Sequence, residues 1–186
     1  MLNMKTGEDV YPPSEDTFLI AKHIPKDLKG KKVLDLGCGS GMLGIIAAVN
    51  GGNVTCSDIK STAIACTLDN AKRYDVKIKT INTDLFYDIK DKFDLILFNP
   101  PYVREDEHSK YLTPGLRAAT VSGKRGTALI NRFLREFKKY LNKGGKVLMV
   151  ISSQNEIKAQ MKKDGWKEID SDSFFFEKIF LMEYKS

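Results

Sequence analysis

Between Lys32 and Val49 the chain runs apolar strand, glycine-rich turn, apolar helix, and few folds accept that order. Lys32-Val33-Leu34-Asp35-Leu36 is a short apolar run of the kind that fills a parallel sheet. Gly37-Cys38-Gly39-Ser40-Gly41 follows, and then a helical stretch from Met42 to Val49. Glycines at such a turn let a ligand approach the backbone, and the helix start offers free N–H groups. A second strand, Asn53 to Asp58, comes next and ends in an acid 23 residues after Asp35. That is where a βαβ unit places the carboxylate that meets ribose hydroxyls.

The alternation continues. The spacing predicts a helix over 61–74 with Ile64, Ala65, Leu68 and Ala71 on one face, then a strand over 77–82. Asp84 and Leu85 follow just past that strand's end. Phe93 to Phe98 is a fourth strand, continuous and apolar. Residues 103–126 are polar, charged and without a period, so a long loop is expected there, and a loop of that length is more often functional than idle. Helical spacing returns over 127–141, and 142–145, Asn-Lys-Gly-Gly, reads as its stop. A fifth strand is expected over 146–151, a short helix over 156–163, and two last strands over 166–172 and 176–184. Upstream, 10–13 should be extended before its prolines, with Ser14 as N-cap of a helix whose first turn carries Glu15 and Asp16. The whole reads as a doubly wound α/β fold, a mostly parallel seven-stranded sheet with a reversed C-terminal strand and helices on both faces. Only an antiparallel hairpin at one edge fits the short connection between the last two strands. A single domain over 1–186 is expected, with 1–30 as a capping segment and 31–186 as the core.

Asn99-Pro100-Pro101-Tyr102 sits directly beyond the fourth strand, where open α/β sheets put their ligands. The two prolines donate no backbone hydrogen bond and hold the chain, so their carbonyls are rigid acceptors. Asn99 adds a side-chain carbonyl, and Tyr102 a flat wall. The set suits a planar –NH2 group held by its two hydrogens; as a bare Asn-Pro it would be a turn after a strand.

Gly39-Ser40-Gly41-Met42-Leu43-Gly44 satisfies the dinucleotide pattern G-x-G-x-x-G, so a hydride-transferring oxidoreductase has to be weighed. Three features oppose it. Asp35 stands two residues before the first glycine, which disfavours a pyrophosphate and favours a positively charged amino-acid portion. No second domain is apparent to bring a hydride acceptor. The tetrapeptide supplies acceptors, not the acid or base that hydride chemistry needs.

Composition narrows the rest. With 42% hydrophobic and 29% charged residues the chain is of ordinary globular type, and no window approaches the ~18 apolar residues of a membrane span. The first residues lack the apolar core of a secretory signal, which points to the cytoplasm. Formal charge is +6, but the lysines are scattered, as on a solvated surface, rather than gathered for nucleic acid. Cys38, Cys56 and Cys66 contain no CxxC, and His23 and His108 have no ligand-like spacing, so neither a disulfide framework nor a metal site is expected. His23 and His108 read as surface or linker residues.

Asp35-Leu36-Gly37-Cys38-Gly39-Ser40-Gly41, Asp58, Asp84 and Asn99-Pro100-Pro101-Tyr102 together resemble the Rossmann-like class I S-adenosylmethionine-dependent methyltransferases that modify planar amino groups. Val10 to Leu19, Val-Tyr-Pro-Pro-Ser-Glu-Asp-Thr-Phe-Leu, is similar to the N-terminal signature of the eukaryotic and archaeal HemK-like release-factor glutamine methyltransferases. Gly115-Leu116-Arg117-Ala118-Ala119 with Gly123 and Gly126 also resembles that family, although Ser122-Gly123 stands where Gly-Gly is commoner. The resemblance implies catalysis by Asn99, Pro100, Pro101 and Tyr102. It implies a cofactor, S-adenosylmethionine leaving as S-adenosylhomocysteine, held by Thr17, Asp35, Gly37, Gly39, Gly41, Asp58, Ile59, Asp84, Leu85 and Asn99, with no metal. Asp35 would sit near the cofactor's amino group, Asp58 at the ribose, Asp84 and Leu85 at the adenine, and Thr17 over the carboxylate end. It further implies a release factor as substrate, methylated on the glutamine of its Gly-Gly-Gln motif, and a small zinc-binding activator subunit as partner. The extra N-terminal substrate-binding domain of the bacterial relatives is expected to be missing. The same acceptors would fit adenine-N6 or guanine-N2, so an RNA or DNA methyltransferase is the rival. A cofactor-binding or RNA-binding scaffold is the non-enzymatic alternative.

Overall fold

The structure is a computed structural model that describes residues 2–7, 9–105, 111–174 and 177–186. His108 and Phe176, the expected first residue of the last strand, lie outside the described residues.

The described strands are β1 (Lys32–Leu36), β2 (Asn53–Asp58), β3 (Lys79–Asn82), β4 (Phe93–Phe98), β5 (Leu141–Ser152), β6 (Lys167–Phe174) and β7 (Glu177–Lys185). The helices are α1 (Glu15–Lys22), α2 (Met42–Val49), α3 (Ser61–Arg73), α4 (Pro114–Thr120), α5 (Ala128–Glu136) and α6 (Lys158–Lys163). The strands form one sheet in the order β3-β2-β1-β4-β5-β7-β6. β7 alone runs antiparallel to its neighbours, and it lies between β5 and β6, so β6 is the edge of the terminal hairpin.

Burial alternates along the central strands because successive side chains leave a sheet on opposite faces. Leu95 and Leu97 face Leu19, Ile20, Ile24, Leu43 and Ala47, contributed by α1 with the segment after it and by α2. Ile96 and Phe98 face the aromatic cluster on the other side, made of Phe133 from α5, Phe137 just beyond it and Phe86 from the segment after β3. Both faces of the sheet are therefore covered, which is why its central strands are almost wholly apolar. Gly44 lets α2 lie against the sheet: a Cβ there would meet Cys56 Sγ at 2.4 Å and Asp35 Oδ2 at 3.1 Å. This third glycine of the G-x-G-x-x-G serves helix–strand packing.

Most element ends shift by one or two residues from the sequence expectation, and three differences are larger. The loop over 103–126 contains α4, whose start is marked by Thr113 accepting from the Leu116 N–H at 3.3 Å and by Pro114 in the first helical position. Thr-Pro is a recognised helix-start signal, and it was present in the sequence. The helix expected to reach residue 141 leaves α-geometry at Glu136 and finishes as a 3-10 turn, Phe137–Tyr140. Residues 142–145 are not a helix stop; they fall within β5, in the irregular stretch between the Leu141–Phe93 and Lys146–Leu95 pairs. Their glycines serve the bulge, with Gly144 at φ 75°. Ser14 occupies the N-cap position of α1, but its hydroxyl turns to Glu15 and caps no backbone N–H. His23, at the end of α1, reaches Asp170 of β6 at 2.8 Å and ties that helix to the sheet edge.

Candidate active site

Strand register puts the carboxyl ends of β1, β2 and β4 level: Leu36 lies beside both Ser57 and Phe98. The chain order reverses between β1 and β4, and such switch points open a crevice. A cavity of about 520 Å³ lies there. Of the residues singled out in the sequence, Thr17, Asp35, Gly37, Gly39, Asp58, Ile59, Asp84, Leu85, Asn99, Pro100, Pro101 and Tyr102 line it. Gly41 does not. It takes φ 81° at the start of α2, and a Cβ there would meet the Thr67 side chain at 2.7 Å, so its part is in the turn.

The two acids beside the glycine turn are held differently. Asp35 is 2% exposed, and its Oδ2 accepts from the Gly44 N–H at 2.8 Å. Burial pushes its carboxyl up to about 7, against that hydrogen bond, and the Asp58 charge adds to the rise. Asp58 accepts from the Gly39 N–H at 3.0 Å and from the Lys60 N–H at 2.9 Å, one oxygen each. Its carboxylate is fixed between the glycine turn and the start of α3. Gly37 and Gly39 adopt φ 66° and 53°, conformations that side chains resist, and a Cβ at either would meet no atom closer than 3.7 Å.

At the far end of the cavity Asp84 pairs with Arg132 at 2.8 Å. Leu85 beside it has φ 48°, an uncommon conformation for a branched side chain. Thr83 caps this loop, its hydroxyl accepting from the Asp88 N–H at 3.1 Å. Ile59 is 65% exposed at the rim.

The tetrapeptide is gripped from two sides. Asn99 donates through Nδ2 to Thr17 Oγ1 at 3.3 Å, while its Oδ1 is buried and has no partner among the described residues. Tyr102 donates its hydroxyl to Asp16 Oδ2 at 3.0 Å. Burial, with the Asp16 charge next, holds the phenol far above its ordinary range, so it stays a donor. Burial likewise pushes Tyr11, on the same wall, up to about 12. From the other side Asn155 donates to the Tyr102 carbonyl at 2.8 Å and to the Arg125 and Gly126 carbonyls at 3.3 Å. Its own Oδ1 accepts from the Ser152 N–H at 2.8 Å.

Four of these residues were not singled out by sequence reasoning. Asp16 read as a first-turn charge, and Asn155 fell in a predicted connection. Lys60, whose ammonium spans the Asp9 and Gly115 carbonyls, looked like one surface lysine among many. Ser122 accepts from the Leu129 N–H at 2.9 Å and so caps α5. None of the four carried a local signal: Ser122 lies upstream of Thr127, the N-cap position of α5, and the others have partners tens of residues away.

The chain is similar to several known proteins. The family model "Methyltransferase small domain" matches residues 14–165. A Methanocaldococcus jannaschii protein assigned to N5-glutamine methylation is 38% identical over 153 residues, covering 82% of this chain and 77% of that protein. Methyltransferase HEMK2 of Mus musculus is 34% identical over 174 residues, covering 84% of this chain and 79% of its own length. Among solved structures, the E. cuniculi Mtq2–Trm112 complex, described as methylating the eRF1 termination factor, superposes with a TM-score of 0.70. It is 21% identical and covers 95% of this chain and 98% of that one, which speaks for the fold.

Proposed function

This chain belongs to the methyltransferase small-domain family, and on that premise we propose that it methylates the side-chain amide nitrogen of a glutamine, the one in the Gly-Gly-Gln motif of a translation release factor. The observation that carries the reading is the buried, unpartnered Asn99 Oδ1 in a residue that lines the cavity. A buried acceptor without a partner costs free energy, and an N–H of the substrate's planar amide would satisfy it.

The residues fit S-adenosylmethionine. Asp35 is a buried carboxylate that a cationic amino group would stabilise in its charged form. Asp58 is already oriented for a ribose diol, and a cavity of about 520 Å³ is of the size that holds such ligands. Ile59, Leu85, Asp84 and Thr17 all line the cavity; in this reading the first three would meet the adenine and Thr17 would close the opposite end. Gly37 and Gly39 leave their backbone open to the ligand. The cofactor, when bound, supplies an electrophilic methyl group and leaves as S-adenosylhomocysteine.

An amide nitrogen is a poor nucleophile because its lone pair is delocalised into the carbonyl. In the proposed mechanism the Asn99 side-chain oxygen and the Pro100 carbonyl accept its two hydrogens. They aim the nitrogen in line with the methyl and stabilise the positive charge that develops on it, and one of the two hydrogens then leaves as a proton to solvent, giving the neutral N-methyl amide. Pro101 keeps the backbone rigid, and Tyr102 stacks on the planar group and excludes water. No metal takes part in this scheme.

The reading treats residues 1–186 as one catalytic domain acting in the cytoplasm beside the translation machinery. No helix among the described residues is long and apolar enough to cross a membrane. The Mtq2–Trm112 relative is a complex, and that supports a small activator subunit here too, zinc-binding by family resemblance. The test is transfer of a labelled methyl group to purified release factor, with its Gly-Gly-Gln glutamine intact or replaced, alongside RNA. Label on the intact factor alone is the expected result. Label on RNA in place of protein would assign the acceptors to a base amino group.

A further inference from the structure

We propose that Asp16 is a positioning residue that sets the polarity of the Asn99 amide through Thr17 and the tilt of Tyr102 directly. The proposal rests on the assignment of Asn99 as the acceptor for the substrate amide.

Asp16 is 4% exposed, inside the first turn of α1, and three donors converge on it. Oδ1 accepts from the Thr17 N–H at 2.6 Å and from the Thr17 hydroxyl at 3.2 Å; Oδ2 accepts from the Tyr102 hydroxyl at 3.0 Å. An ionised carboxyl accepts and never donates, so the single Thr17 hydroxyl proton is committed to it. Thr17 Oγ1 then has only lone pairs left for Asn99. A carboxamide facing lone pairs must turn its NH2 toward them, which is the observed Nδ2–Oγ1 contact at 3.3 Å. The reverse orientation would set two acceptors against each other. Asn99 therefore has to keep its carbonyl oxygen on the other side, unpartnered and available.

An asparagine amide is otherwise free to turn over, and the turned form would set donors against the substrate's NH2 group, whose hydrogens need acceptors. The direction of the Asp16–Thr17–Asn99 relay removes that form. Its second arm, through Tyr102, holds the other end of the tetrapeptide, 86 residues along the chain from Asp16. α1 can serve as this fixed point because Leu19 and Ile20 are 2% and 0% exposed against the sheet.

Asp16→Asn keeps the shape and allows the residue to donate, freeing the relay to reverse. It is compared with Thr17→Val, which removes the hydroxyl, with Thr17→Ser, which keeps it, and with the Asp16→Asn/Thr17→Val pair. Methyl-transfer kcat should fall on the order of tenfold to a hundredfold in Asp16→Asn and in Thr17→Val. Thr17→Ser should lose less, and the pair should lose no more than the worse single variant. Calorimetric affinity for S-adenosylhomocysteine should change little in Asp16→Asn. The relay is also read without turnover. The Asn99 side-chain NH2 resonances, assigned by their absence in Asn99→Ala, should be protected from solvent exchange in the wild type and unprotected in Asp16→Asn. Losses that multiply in the pair, or Asn99 protection that survives Asp16→Asn, would overturn the proposal. A wild type that leaves the release factor unmethylated while the resonances behave as stated would instead overturn the substrate assignment.

Discussion

At the scale of single residues, two side chains have opposite charge problems. Asn99 carries a buried acceptor that nothing satisfies, and under the proposed mechanism its oxygen acts only on the methyl acceptor. Asn99→Ala should therefore lower kcat by at least roughly a hundredfold, the loss typical of a removed charge-stabilising group. Affinity for S-adenosylhomocysteine in calorimetry should stay within about threefold; a variant with near-normal turnover sinks the mechanism. Asp35 carries a buried carboxyl whose affinity for a proton is raised, to about 7, chiefly by burial. Because the folded form binds this proton more tightly than the unfolded chain, where the carboxyl has an ordinary value near 3.8, the stabilising contribution is complete below that value. It is lost as pH rises through about 7. A cationic amino group needs the ionised form, so product affinity should increase from pH 6 to pH 8. The thermal shift caused by S-adenosylhomocysteine should grow over the same interval, and Asp35→Asn should flatten that rise. An equal rise in Asp35→Asn would assign the titration to another group.

At the scale of elements, the segment after β4 is held by parts of the chain that its own sequence does not mention. Val103 bridges to Val121 beside it, and Asn155 ties the Tyr102, Arg125 and Gly126 carbonyls together. Gly126 is the point where backbone meets backbone. It has φ 66°, and a Cβ there would lie 2.0 Å from the Tyr102 carbonyl oxygen, which is backbone and cannot swing away. Gly126→Ala should cost about 1–3 kcal/mol in urea unfolding and should also lower methyl transfer, because relief of the clash moves the tetrapeptide. Unchanged stability together with unchanged turnover would show that the close approach is relaxed at no cost. The strand–turn–helix of β1 and α2 was fully legible beforehand because every one of its determinants lies within eighteen residues. α4 was signalled by Thr113-Pro114 but has only seven residues and no apolar stripe to announce it.

At the scale of the whole molecule, the site and the core share atoms. Phe133 of α5 is 0% exposed, with Phe98 at 4.7 Å, Phe137 at 5.2 Å and Phe86 at 5.6 Å between ring centroids. Phe98 is the residue just before Asn99, so packing behind the sheet sets the position of the acceptor in front of it. Phe133→Ala should destabilise the fold by about 3–5 kcal/mol in denaturant titration, and it should reduce kcat in the fraction that remains folded. A loss below about 1 kcal/mol would mean that the cluster repacks around the gap. The order of elements and the reversal of the last strand were set by the sequence itself, since hydrophobic period and turn chemistry are local quantities. Which residues of the crevice answer to one another was decided only by the fold. A hydrogen bond between Tyr102 and Asp16, or between Asn99 and Thr17, spans more than eighty residues of chain. No periodicity records a contact of that kind, because it exists only once the sheet has brought both ends to the same crevice.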